Sequence, residues 1–146
     1  MSHQPSTIRH PDWESRLCAA LVDVRDRPFS RADWDCVRCV RYLLASMTET
    51  PLPELPTYDN DLDALRHLRN LRRAGGLSAA IDAALAPLGV HRVPVNFASR
   101  GDILYGQATM PWLALHFGEV AFTVQEGAGG LCTVLPSTAT IAWKIP

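Results

Sequence analysis

Cys36 is the residue of this 146-residue chain best placed to do chemistry. It follows Asp35 in the run Arg27-Pro-Phe-Ser-Arg-Ala-Asp-Trp-Asp-Cys36 and begins an apolar series at helical spacing: Cys36, Cys39, Val40, Leu43, Leu44 and Met47. A helix N-terminus stabilises a thiolate, which lowers the thiol pKa and makes the sulfur a better nucleophile. Plain packing is the competing role, because free cysteine is among the most buried residue types and Cys36 shares its face with Val40 and Leu43. A nucleophile also needs a base, and the candidate is His116 in Trp112-Leu-Ala-Leu-His116-Phe-Gly118. His67 and His91 lie in helical and loop contexts without a partner pattern and read as surface residues. The Cys36-x-x-Cys39 spacing would suit zinc only with a second pair, which Cys18 and Cys132 do not form. No strand precedes it, as a thioredoxin-like dithiol would require. No metal and no cofactor is expected.

The elements that must position these residues fall into two halves. Helical spacing is expected over 12–26 (capped by Asp12), 34–47 (with Asp33 a candidate cap), 61–74 and 78–86, with Gly75-Gly76 stopping the third. The stretch Pro51-Leu-Pro-Glu-Leu-Pro-Thr-Tyr-Asp-Asn60 is too rich in proline for regular structure, and its stiff extended backbone suits a docking segment for other subunits. Five strand-like segments follow Pro94: 102–106, 112–117, 119–124, 131–135 and 140–145. Helices first and closely spaced strands afterwards predict an α+β domain, an antiparallel sheet of about five strands with helices on one face. One domain over 1–146 is expected, with 1–11 a polar N-terminal tail.

Composition narrows the function classes. Hydrophobic residues make up 47% and charged residues 20%, a globular profile. The formal net charge of −1 gives no general pull toward nucleic acid or anionic lipid. Apolar runs fall far short of the ~20 residues a spanning helix needs, and no export signal is read at the N-terminus, so synthesis and folding in a reducing cytoplasm are expected. Arg66, Arg69, Arg72 and Arg73 form a short basic face whose position near a helix end complements the dipole. Trp13, Trp34, Trp112 and Trp143 read as core or interface anchors.

One set of motifs goes further. Pro28-Phe29, Asp35-Cys36, Arg100-Gly101-Asp102-Ile103, Gly130-Leu131 and Ala142-Trp143-Lys144-Ile145 occur in this order, between about Trp13 and Ile145. The chain thereby resembles the small phage- and prophage-encoded relatives of NlpC-type cysteine peptidases. The resemblance implies a papain-like fold, with Cys36 in the nucleophile position at a helix N-terminus facing an antiparallel sheet. Two positions depart from the pattern. Arg31-Ala32 stands where a Trp-Gly pair is usual, and Trp112 occupies the slot of the catalytic histidine. His116 would share the face of Trp112 but lie roughly 13 Å further along the strand.

The resemblance implies a bacteriophage setting, with synthesis in the bacterial host cytoplasm and assembly into the virion tail. Two functions are expected. The first is a structural or assembly subunit of the tail tip on a degenerate peptidase fold, with other tail-tip proteins as partners. The second is an active cysteine peptidase or amidase of peptidoglycan stem peptides, in which Cys36 attacks the carbonyl and His116 takes the proton, with Asp35 in support.

Overall fold

A computed structural model describes residues 7–146. Helix α1 (Trp13–Val24) buries Leu17, Ala20 and Val24, and α2 (Cys36–Met47) buries Cys39, Val40, Leu43, Leu44 and Met47. Both series repeat every three to four residues, which puts each on one helix face. The cap of α2 is Asp35, not Asp33: its backbone is extended and its Oδ1 accepts from the Arg38 amide at 2.9 Å. Asp12 is the N-cap residue of α1, as expected, but caps through its main chain: its carbonyl accepts from the Arg16 amide at 3.2 Å, while its carboxylate accepts from Arg16 Nε at 2.8 Å. Helix α3 (Asp61–Arg73) is capped by Asn60, and α4 (Leu77–Leu85) buries Ile81 and Leu85.

Besides three short 3-10 turns, the remaining elements are strands: β1 (His91–Val93), β2 (Ile103–Gln107), β3 (Pro111–His116), β4 (Ala121–Thr123), β5 (Cys132–Val134) and β6 (Ile141–Lys144). They form a six-stranded sheet in the order β1-β6-β2-β3-β4-β5, every pairing antiparallel. The α+β expectation and the five expected strands are thus met, and a sixth is added at the edge. His91 belongs to that strand, where it pairs with Lys144, and not to a loop.

The sheet buries both faces. Ile103, Tyr105, Leu113, Leu115 and Trp143 join the helices in the main core cluster. Leu104, Trp112, Ala114, Ala121 and Ala142 form a second cluster on the other face, covered by residues such as Val95, Ala98 and Ala139 from the connecting segments. Residues of β2 and β3 alternate between the two clusters, as the period of two requires. Asp82 fastens α4 to the sheet, accepting two hydrogen bonds from Arg92 and one from Trp143 Nε1 at 2.8 Å.

Of the expected N-terminal tail, residues 1–6 lie outside the described residues, and from Ile8 onward the chain is part of the fold. Ile8 is buried, its amide donates to Pro146 O at 3.0 Å, and Arg9 bridges to Thr48. Asp102, fully buried, gathers the ends of the chain. Its Oδ1 accepts from Arg9 Nη2 and the Ile145 amide, both at 3.0 Å, and its Oδ2 accepts from the Ser99 amide and Lys144 Nζ, both at 2.9 Å. Gly101 beside it has φ +92, and a Cβ there would come within 2.5 Å of the Arg9 guanidinium. That is the structural content of Arg100-Gly101-Asp102.

The Pro-rich connector is fastened to its own chain. Arg41 donates to Pro53 O and Leu52 O, Arg38 donates to Pro56 O, and the Arg38 guanidinium lies 4.8 Å from the centre of the Tyr58 ring.

Asp102→Asn would replace one accepting oxygen with an amide that faces other donors. It is expected to lower stability by about 3–5 kcal/mol in urea unfolding, as for breaking a buried ion pair. Lys144→Met removes the partly exposed partner, whose side chain is 43% accessible, and should cost under about 1 kcal/mol. Equal losses in the two variants would contradict the central role of the carboxylate.

Candidate functional site

Cys36 is the first residue of α2, directly after its cap. It packs at the margin of the main core cluster, the cluster that holds Leu113 and Leu115 of β3. Only Leu115 and His116 of β3 pair with β4, so β3 is free of that neighbour at Leu113. There the Thr123 hydroxyl donates to Leu113 O at 2.6 Å, and the Leu113 amide lies near enough to Cys36 to act on its thiol.

The electrostatics of the thiol run against the sequence expectation. Burial pushes the Cys36 thiol up to about 11, and the Asp35 carboxylate adds to the rise. The amides of Leu113, Val37 and Cys36 itself act in the opposite direction without overcoming it. A helix N-terminus favours the thiolate, but desolvation of the charged sulfur is the larger effect here. Cys39, fully buried one turn later, is pushed up to about 12 by burial and then by its neighbours Cys36 and Cys132. At neutral pH these groups are thiols.

His116 stands on the other side of the sheet. It has the parity of Trp112 and Ala114, which belong to the second cluster, whereas Cys36 packs with the first. Its Nδ1 accepts from the Gly118 amide at 3.0 Å, and its main chain bonds to Gly101 and Asp102 at 2.8 Å each. Burial lowers its pKa, Lys144 and Arg100 lower it further, and Asp102 opposes them. Trp112 also faces away from α2, its ring packed over Gly106. The β3 side chain on the Cys36 face is therefore Leu113, not Trp112. The structure brings Cys36 and Asp35 together and leaves Trp112 and His116 across the sheet. Among the described residues no group of three His, Cys, Asp or Glu is placed to hold a metal ion.

The motif residues around Cys36 hold one another. The Phe29 amide donates to Ala128 O at 3.3 Å and the Leu131 amide to Arg25 O at 2.9 Å, which docks the β4–β5 loop on the segment leading to α2. A Cβ on Gly130 would lie 2.2 Å from Arg25 O, so the loop fits only with glycine there. Arg31 pairs with Glu126 of the same loop at 2.5 Å. Sequence reasoning missed Leu113 and the Arg9–Asp102 pair. Period-two alternation could have found the first, once β3 was set against α2.

Iodoacetamide labelling resolved by peptide mass mapping checks the thiol, with exposed Cys18 as the internal reference. A pKa raised to about 11 means that the thiolate fraction of Cys36 keeps growing through pH 10. Its labelling should lag Cys18 at pH 7.5 and still be accelerating at pH 10. Faster labelling of Cys36 than of Cys18 at neutral pH would contradict the geometry.

Among known proteins, no curated protein and no solved structure matches the chain. One family does, over residues 8–145, from the buried Ile8 at the start of the fold to Ile145 on Asp102. The chain therefore belongs to the family described as a domain of unknown function, DUF6950.

Proposed function

We propose that this chain is a structural or assembly subunit of a bacteriophage tail tip, built on a degenerate NlpC-type cysteine peptidase fold. The observation that supports the reading is the separation of thiol and imidazole by the sheet. A cysteine peptidase needs an imidazole within hydrogen-bond reach of its sulfur, oriented by a third polar group. Here Leu113 fills the facing position and the thiol is held in its neutral form. On this reading the chain is made in the bacterial host cytoplasm and joins other tail-tip proteins in the virion. The fold's ancestry, not turnover, accounts for the cysteine.

One observation favours the second reading, an active peptidase of peptidoglycan stem peptides. Cys36 stands at a capped helix N-terminus, and the main-chain amides of Leu113, Val37 and Cys36 favour its thiolate, as a nucleophile would need.

Two measurements separate the readings. The purified chain is expected to release no product from peptidoglycan stem peptides, and turnover abolished by Cys36→Ser would overturn the proposal. In a phage that carries the chain, Cys36→Ser should leave the yield of infectious particles unchanged, whereas deletion of the chain should leave tails incomplete. Complete tails in the deletion strain would refute the assembly role.

A further inference from the structure

Helix α3 is well formed and poorly covered. Asn60 caps it, Asp61 and Asp63 occupy its first turn, and Arg72 and Arg73 its last, yet Ala64 is its one buried residue. Its leucines, Leu62, Leu65, Leu68 and Leu71, recur every third residue, so the stripe winds about 60° around the helix at each step. Leu62 and Leu65 stand 54% and 44% exposed. A groove of about 340 Å³ runs between Leu65 and Leu68 on one side and Met110 and Pro111 of the β2–β3 hairpin on the other, with Leu77 among its lining residues.

Arg69 and Arg72 also line this groove. Of the four arginines on the helix only Arg66 is paired, with Asp63 at 3.6 Å; Arg69, Arg72 and Arg73 make no ion pair among the described residues. The helix dipole accounts for cations in the last turn, where Arg72 and Arg73 lie. Arg69 lies before that turn, on the leucine side, with no carboxylate to meet. An apolar groove lined by unpaired guanidinium groups is complementary to one kind of surface.

We propose that this groove docks an acidic amphipathic helix of a partner protein. Apolar anchors of that helix, spaced by three or four residues, seat against Leu65, Leu68 and Met110, and carboxylates flanking them engage Arg69 and Arg72. The site shares no residue with the surroundings of Cys36, so it stands whether the cysteine is catalytic or not. It adds to the assembly reading a surface and the chemistry of what binds there.

Two synthetic helical peptides with the same leucine stripe, one flanked by glutamates and one by lysines, test this by fluorescence anisotropy with the full chain. The glutamate peptide should bind at least roughly tenfold more tightly, with an affinity that falls as salt rises. The double variant Arg69→Glu/Arg72→Glu should reverse the preference, and Leu65→Asp should weaken both peptides. All three side chains are exposed, so circular dichroism should show the variants folded. Equal binding of the two peptides, no binding of either, or a preference that survives the double variant would overturn the proposal. Light scattering covers the remaining occupant: a dimer that Leu65→Asp dissociates would assign the groove to a second copy of this chain and refute the partner helix.

Discussion

The fold turns on one buried carboxylate. Asp102 has no contact with solvent, and each of its oxygens accepts one main-chain amide and one cation. A charge in that position is tolerable only with every lone pair engaged, so each donor is constrained by the others. Arg9 is held twice over: it also donates to Ile145 O and Arg100 O at 3.0 Å, and its guanidinium stacks 4.4 Å from the centre of the Trp13 ring. The carboxylate thus fixes the start of α1, the end of β6 and the entrance to β2 at a single point. Through the Asp102 carbonyl, which accepts from the His116 amide, the same point sets the register of β3.

That register decides what faces Cys36. Because β3 alternates, fixing His116 beside Asp102 sends Leu113 and Leu115 to the helices and Trp112 and Ala114 to the other face. Moving the His116 imidazole to the place Leu113 holds would need a three-residue slip of β3, which would break the His116–Asp102 and Gly101–His116 bonds and drive the Trp112 ring into the main core. The neutral thiol and the remote imidazole are two results of one register.

The sequence was most legible where burial is one-sided. The helices appear within two or three residues of their expected limits, because Leu17, Ala20 and Val24, or Val40, Leu43 and Met47, repeat with the period of a helix that has one wet face. Strands β2 to β6 were legible from short apolar runs between turn residues. Strand β1 was not: His91-Arg-Val93 is three residues long, mostly exposed, and strand only because β6 lies beside it. Local pattern also could not choose between Asp33 and Asp35 as the cap, since either can bond an amide three residues on. The thiol pKa was misjudged for a related reason. The helix N-terminus is a local feature visible in sequence, whereas the burial that outweighs it comes from β3, far along the chain.

Helices α1 to α4 are complete by Leu85, and every strand of the sheet lies beyond Val90. On a ribosome, which releases the N-terminal half first, α1 and α2 therefore emerge without the sheet that covers their apolar faces. Arg9 is made 136 positions before its acceptor, Ile145 O. The latch that fixes the register can close only once β6 and Ile145 have been synthesised. Until β6 arrives, the helices of the half-made chain present apolar faces through which they can associate.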